Sequence, residues 1–346
     1  MPHRARYRGR YAPTPTGPLH LGNARTALLA WLAARSAGGI FLMRVEDLDG
    51  PRVRPGLEAR ILEELRWLGI DWDFEPGLAG SSPGTEPADG GSGSPGGVYR
   101  QSGRLLLYSA ALGRLREAGL AYPCFCSRAE IAQASQAPHA SDEGPRYPGT
   151  CRDLSAGERA ARARERPPAW RFRVPAGEVA FEDAVHGPCS FDVSGTVGDF
   201  VVMRADGVPA YQLAVAVDDA AMEITEVVRG DDLLASTARQ LLLYGTLGLA
   251  APRFAHVPLV VGPDGERLAK RHGALSLGEL RERGAEPRAV VGLLAALSGL
   301  APAGARVAPA ELVAAFRLDR VPRAPARLEP GLVEALAAPP TGGARG

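Results

Sequence analysis

A single lysine stands among the 40 basic residues of this 346-residue chain. It lies in the segment Gly265-Glu266-Arg267-Leu268-Ala269-Lys270-Arg271-His272-Gly273, just after a Gly-Pro-Asp-Gly turn. A surface loop holding Lys270, Arg271 and His272 can close over a polyphosphate. Lysine does this as a compact point charge with three donors, which the guanidinium fork does not replace. The second chemically suggestive segment lies near the other end, at Pro15-Thr16-Gly17-Pro18-Leu19-His20-Leu21-Gly22-Asn23. A turn that enters a helix points free N–H groups and the positive dipole end at an anion. Gly17 and Gly22 leave room for a nucleotide beside the backbone, and His20 can donate to phosphate oxygens as charge builds up in a transition state. Each segment also has an ordinary reading. One is a solvated basic loop, the other a tight turn with a capping histidine.

Three of the four cysteines cluster, as Cys124-Phe125-Cys126 and Cys151. Three thiolates leave a tetrahedral zinc one ligand short, and Tyr147, His139 and Asp153 are the candidates for the fourth place. Imidazole is the better zinc ligand on general grounds, but His139 sits in a loose, polar stretch. Three buried, unligated cysteines are the alternative, and Cys189 reads as simple packing. This usage suits a reduced compartment, not a disulfide scaffold, so the cytoplasm is the expected location.

The elements that must position these groups follow an α/β pattern. Residues 7–12 form a strand candidate, and His20 to Ala37 an alanine-rich helix stopped by Gly38-Gly39. Ile40 to Val45 is a buried strand running into Glu46-Asp47-Leu48-Asp49, and the next helix puts Ile61, Leu62, Leu65 and Leu68 on one face. Strand, helix, strand, helix predicts a parallel sheet with helices on its faces. Of the 21 residues 77–97, 15 are Gly, Ser or Pro, so that stretch is expected to be a flexible loop. The α/β unit of residues 7–119 then gives way to a different unit, 120–195, which holds the cysteines. The α/β pattern returns over 196–277, with a strand expected at Val257–Val261. A helical region, 278–335, precedes a tail, 336–346, expected to fray.

The formal charge of +1, from 40 basic and 39 acidic residues, neither demands nor excludes a nucleic-acid partner; a local basic face would have to meet it. The N-terminus lacks an apolar signal core, and no uncharged apolar run reaches the ~18 residues of a membrane span.

Taken together, the two phosphate segments resemble the HIGH and KMSKS signatures of class I aminoacyl-tRNA synthetases, with His20-Leu21-Gly22-Asn23 as the first and Arg267-Leu268-Ala269-Lys270-Arg271 as the second. Ala269 replaces the usual Ser and Arg267 the first Lys. Arg10 to Gly17 is similar to the RFAPSPTG segment of glutamate-activating members. Arg44-Val45-Glu46-Asp47-Leu48-Asp49, Tyr211 to Asp219 and Glu226 to Asp232 resemble their other signatures. The resemblance implies a Rossmann-type α/β catalytic domain with an inserted zinc-containing unit and a short helical C-terminal region. It implies catalytic roles for His20 and Lys270, and ATP binding, with magnesium, by Gly17, His20, Gly22, Asn23, Lys270 and Arg271. L-Glutamate would lie among Arg10, Ala12, Thr14, Glu46, Tyr211 and Arg229. The chemistry agrees, because two carboxylates call for two guanidinium forks and the ammonium for one carboxylate. Arg44, Asp47 and Asp49 read as structural ion pairs at a strand end, and Asp218-Asp219 and Asp231-Asp232 as loop caps.

Tyr147-Pro148-Gly149-Thr150-Cys151 is similar to the YxGxC element of the shortened members that pass glutamate to queuosine in the anticodon loop of tRNA(Asp). In those the tyrosine completes the zinc site, which implies Cys124, Cys126, Tyr147 and Cys151 as ligands. Only 75 residues follow Arg271, too few for the anticodon-binding region of full glutamyl-tRNA synthetases. The expected partners are therefore ATP, L-glutamate and the tRNA(Asp) anticodon loop, bound by a monomer, with Arg-rich stretches such as Arg159–Arg173 meeting phosphates. A truncated synthetase charging tRNA(Glu) and an inactive RNA-binding relative are the rivals.

Overall fold

A computed structural model describes residues 6–78, 80–82, 97–135, 145–266, 268 and 276–337. Expectations for His139, for Arg267, Ala269, Lys270 and Arg271, and for most of 77–97 and of the tail fall outside the described residues.

The chain opens with β1 (Arg8–Tyr11), α1 (Leu21–Ser36), β2 (Ile40–Val45) and α2 (Leu57–Trp67). Then come β3 (Ser81–Ser82), β4 (Val98–Arg100) and α3 (Leu105–Glu117). β1 pairs parallel with β2 and β2 parallel with β4, while β3 runs antiparallel to β4 at the edge. The expectation of an entirely structureless 77–97 therefore fails at Ser81 and Ser82, whose backbone completes a sheet edge despite poor strand propensity. Helix α1 is apolar on nearly every side because it is covered on nearly every side. Leu21, Leu28, Leu29 and Leu32 are all fully buried, each contributing about 1.5–3 kcal/mol. It ends where the sequence says it should. Gly38 has a φ of +62°, and a Cβ on Gly39 would stand 2.5 Å from the Tyr7 carbonyl oxygen, so no larger residue lets β1 and β2 approach.

The middle of the chain supplies β5 (Ala121–Cys124), α4 (Arg128–Ser135), α5 (Ala156–Glu165), β6 (Ala169–Phe172), β7 (Val179–Asp183), β8 (Gly187–Phe191), α6 (Val193–Thr196) and β9 (Val201–Met203). β5, β6 and β9 form an antiparallel sheet. α5 begins with a capping box between Ser155 and Glu158 and buries none of its residues. Next come α7 (Tyr211–Ala221), β10 (Glu226–Gly230), α8 (Leu234–Leu247), β11 (Arg253–Val257) and β12 (Val260–Val261). The single strand expected at 257–261 is divided: Val257 ends β11, and Val260–Val261 form β12. The second sheet runs β10-β11-β7-β8. β7 and β8 belong to the stretch read as a separate unit, yet β7 pairs directly with β11, Asp183 opposite Phe254. Thr225 joins the two sheets, its N–H donating to the Arg8 carbonyl at 2.9 Å.

The end of the chain, α9 (Leu277–Glu282), α10 (Pro287–Ala296), α11 (Pro309–Leu312), β13 (Ala326–Arg327) and α12 (Pro330–Ala337), packs partly on α1. α12 runs two residues into the stretch expected to fray. Among the described residues no helix is long and apolar enough to cross a membrane.

Candidate active site

The ends of β1, β2 and β10 open on one cavity of about 540 Å³, where open α/β sheets place their ligands. β1 brings Arg10, followed by Ala12 and Thr14. Glu46 comes just after β2, and Arg229 near the end of β10. Tyr211, the first residue of α7, reaches in from the side, and Gly17, His20, Gly22 and Asn23 form the wall at the start of α1. Every described residue expected to touch ATP or glutamate lines this space. Lys270 and Arg271 lie outside the described residues, and their neighbour Leu268 lines the cavity.

His20 is the N-cap of α1, but its side chain makes no capping hydrogen bond, leaving the ring available to a ligand. Partial desolvation by the cavity walls lowers its pKa, so near neutral pH it is a neutral N–H donor. A Cβ on Gly22 would touch the His20 ring at 3.4 Å, whereas one on Gly17 would meet nothing within 4 Å. A side chain at Gly22 would therefore rest against the histidine ring, and one at Gly17 would project into open space.

The two arginines are prepared differently. Arg10 donates through Nε and Nη2 to the Asp219 carboxylate, at 3.2 and 3.4 Å. Asp219 also accepts from Arg44 at 2.6 Å, and Arg44 reaches Glu46 at 3.3 Å and Asp218 at 3.6 Å. Asp218 accepts in turn from Arg104 at 2.6 Å, Gln101 at 2.8 Å and Tyr108 at 2.9 Å. Asp218 and Asp219 are thus not loop caps. They sit within α7, fully buried, because three inward-facing guanidinium groups need three carboxylates. Burial works against the Asp219 charge, but Arg10 and Arg44 outweigh it and hold its pKa below the usual range. Burial raises the Glu46 pKa against the pull of Arg44 and Arg10.

Arg229 has no carboxylate within ion-pair distance among the described residues. Its Nε donates to His256 Nε2 at 3.0 Å and its Nη2 to Thr237 Oγ1 at 2.7 Å, while Nη1 is buried without a partner. Burial pulls its pKa down. A buried guanidinium with a free donor is a site for an anion.

The structural reading of Arg44 holds. Asp47 accepts from the Ser102 N–H at 2.8 Å and Asp49 from Arg52 at 2.6 Å, so both fix loops. Asp231 accepts from the Leu259 N–H at 3.2 Å, a loop-tying role, while Asp232 lines the cavity. Cys189 is partly buried, its thiol on the Gly187 carbonyl.

A second cavity, about 510 Å³, shares Thr14, Glu46 and Tyr211 with the first and extends to Cys126, past Arg52, Arg128, Arg171 and Arg204. At its far end the sulfurs of Cys124, Cys126 and Cys151 all lie within 4.8 Å of one another. The Tyr147 hydroxyl is 3.4 Å from Cys124 and 4.0 Å from Cys126, and accepts from the Cys151 N–H at 2.8 Å. Arg171 donates to Cys124 at 3.2 Å and Arg162 to Cys151 at 3.6 Å. Burial opposes ionisation of Cys151, but the Phe125 N–H, the neighbouring thiols of Cys126 and Cys124 and the Tyr147 hydroxyl overcome it and lower its pKa. Burial and the Cys124 charge push Cys126 up to about 12. Asp153 is engaged elsewhere, accepting from Arg173 at 3.3 Å.

A family model described as the catalytic domain of class I tRNA synthetases (E and Q) matches residues 6–325. The chain belongs to that family. It is therefore a class I synthetase ligase with the parallel-sheet α/β catalytic domain. Its relatives include the glutamyl-Q tRNA(Asp) synthetase of Symbiobacterium thermophilum, 52% identical across 95% of this chain and 98% of the relative. The protein of that name from Nocardia farcinica is 50% identical across 92% and 91%. A glutamate–tRNA ligase of Syntrophus aciditrophicus is 43% identical across 90% of this chain and 62% of its own length. A crystal structure of a glutamate tRNA ligase from Elizabethkingia meningosepticum in complex with its amino acid superposes with a TM-score of 0.78 at 31% identity, covering 96% of this chain and 68% of that one.

The sequence did not single out His256, Asp183, Thr237 or Arg104 of this synthetase. Their signal was a polar residue inside an apolar strand or helix, which becomes informative only once the partner strand is known.

Proposed function

We propose that the protein activates L-glutamate with ATP and magnesium and passes the glutamyl group to queuosine in the anticodon loop of tRNA(Asp). An oxygen of the glutamate α-carboxylate attacks the α-phosphorus of ATP in line, the new P–O bond forms, and the bond to the leaving pyrophosphate breaks. A nucleophile on the RNA then attacks the acyl carbonyl, and AMP leaves. Arg229 and Arg10 hold the two carboxylates and Glu46 the ammonium, with Ala12, Thr14 and Tyr211 shaping the pocket. Gly17, His20, Gly22 and Asn23 receive the phosphates at the start of α1, where neutral His20 donates to them. Lys270 and Arg271 meet the leaving pyrophosphate. Catalysis is by positioning and charge stabilisation.

The observation that carries this reading is the buried guanidinium of Arg229, which meets no carboxylate among the described residues, in one cavity with the buried Glu46 and the helix start. Support for the RNA address comes from the nearly full-length match to relatives named glutamyl-Q tRNA(Asp) synthetase, at 46–52% identity. The arginine-lined second cavity, against the Tyr211 wall, suits an acceptor nucleotide, and α5, none of whose residues is fully buried and which carries the exposed Arg164 beside Arg159, suits phosphates. Charging of tRNA(Glu) is the second reading, favoured by the glutamate–tRNA ligases at 43–45% identity.

Zinc fits the four-donor cluster of Cys124, Cys126, Cys151 and Tyr147, in which guanidinium donors already face two of the sulfurs. It would cross-link β5 to the segment after α4 and stiffen the far wall of the second cavity. The protein acts in the cytoplasm as a monomer.

The test is glutamate-dependent ATP–pyrophosphate exchange without tRNA, followed by transfer of radiolabelled glutamate to purified queuosine-containing tRNA(Asp) and to tRNA(Glu) in parallel. Exchange without tRNA and label on tRNA(Asp) are expected. Label on tRNA(Glu) alone overturns the RNA address, and no exchange at saturating glutamate overturns tRNA-independent activation.

A further inference from the structure

Arg229 combines two properties that usually conflict. Its charge meets no carboxylate among the described residues, yet its guanidinium is fixed at two of three nitrogens. The fixing partner is a histidine, and the donor logic determines its tautomer. Arg229 Nε carries a hydrogen, so His256 Nε2, 3.0 Å away, must offer a lone pair. The ring proton therefore sits on Nδ1, which donates to Asp183 Oδ2 at 2.6 Å. Asp183 is itself locked by backbone, accepting from the N–H groups of Val185 and His186 at 2.9 Å each and of His256 at 3.1 Å. Sheet register builds this row, because Arg229 and His256 are cross-strand partners on β10 and β11, and Asp183 ends the neighbouring β7. The His256 and Asp183 side chains have no solvent exposure.

We propose that Asp183 and His256 are positioning residues that aim Arg229 at a substrate carboxylate without neutralising it. This rests on the reading of Arg229 as a glutamate ligand. A carboxylate in direct contact would orient the guanidinium equally well, but an incoming carboxylate would then have to compete with it. The neutral ring transmits the orientation and leaves the charge open. Arg10 is the contrast within the same cavity, since Asp219 contacts it directly. Burial, with the Arg229 charge, holds the His256 pKa down at about 4 against the pull of Asp183, so the ring stays neutral over the working range.

The test is ATP–pyrophosphate exchange as a function of glutamate and of ATP for Arg229→Ala, His256→Phe, His256→Gln and the double variant Arg229→Ala/His256→Phe. Losing a hydrogen bond to a charged group predicts a glutamate KM raised by about 10- to 100-fold in His256→Phe, with the ATP KM within about 2-fold. The Gln variant, whose amide oxygen can accept from Nε, is expected to recover most of the loss. The double variant is expected to be no worse than Arg229→Ala alone, because the two act as one unit. If Arg229→Ala leaves the glutamate KM unchanged, the glutamate reading itself falls. If Arg229→Ala raises it while His256→Phe does not, only the positioning role falls. Equal losses in the glutamate KM, ATP KM and kcat with no recovery in Gln also overturn it, since they mark a merely structural residue. Should His256→Phe fail to fold, nitrogen NMR of histidine-labelled wild-type protein decides. A proton on Nδ1 with Nε2 bare near pH 7 is expected, and a proton on Nε2 refutes the arrangement.

Discussion

Replacing Asp219 by asparagine removes one charge from a buried cluster whose members balance. Arg10, Arg44 and Arg104 face Asp218, Asp219 and Glu46, all nine-tenths or more buried. Asparagine keeps the shape and one acceptor, but the cluster then holds one uncompensated positive charge away from water. Breaking a buried pair from one side costs about 3–5 kcal/mol. At about 2–4 °C per kcal/mol, Asp219→Asn is expected to melt about 6–20 °C lower by calorimetry. Its glutamate KM in the exchange assay is expected to rise, because Arg10 loses the carboxylate that orients it. The pH dependence has a definite sign. The Asp219 pKa is depressed in the folded state, so its stabilisation is present above the unfolded value of about 3.9 and is lost as pH falls through the folded one. The variant should therefore show a flatter loss of stability on the acid side. Asp219→Asn/Arg44→Met, which removes one charge of each sign, is expected to regain most of the melting temperature. A single variant that melts within about 1 °C of wild type with an unchanged glutamate KM would refute the charge-balance reasoning.

Lys270→Arg keeps the charge but changes its geometry, and is expected to lose most of the exchange activity; near-normal turnover would show that any cation serves there. Cys126→Ala is expected to lower both the zinc content, measured by elemental analysis, and the melting temperature. Tyr147→Phe, which keeps all three thiolates, is expected to fall between wild type and Cys126→Ala on both measures. His256 has a folded pKa of about 4 against about 6.5 unfolded, so the unfolded chain binds the proton more tightly and stability declines as pH falls from 6.5 to 4. The decline from this group is about 3 kcal/mol, read by urea denaturation at several pH values, and it is expected to vanish in His256→Phe.

The sequence marked the cavity wall because its residues lie in local segments. Gly17 to Asn23 is contiguous, and the turn after β1 has to enter α1 whatever the rest of the chain does. Arg10, Glu46 and Arg229 were legible through the chemistry of the ligand that the resemblance implied. The residues that hold those groups were not. Asp218 and Asp219 read as loop caps because a pair of acids at the end of an apolar run has no local partner. Their partners are Arg10, Arg44 and Arg104, between 114 and 209 positions away. Asp183 falls in the stretch read as a separate unit because it follows the cysteine region in sequence, although its strand pairs with β11 in the second sheet. The short strand at Ser81 and Ser82 exists because a sheet edge was there to pair with, which composition does not reveal.

The placement of β1 beside the start of β10 also dictates when the protein can become active during its synthesis. Arg8 receives its backbone partner from Thr225, so the first strand stays unflanked on that side until more than 220 residues have been made. Contacts this distant in sequence slow folding and prolong the exposure of an open strand edge. The helix start proposed to receive the phosphates can form early. The proposed amino-acid pocket is complete only once Arg229 and its row of strands have docked, so catalytic competence should emerge as one of the last events of folding, detectable as a lag between recovery of helical signal and recovery of exchange activity on refolding.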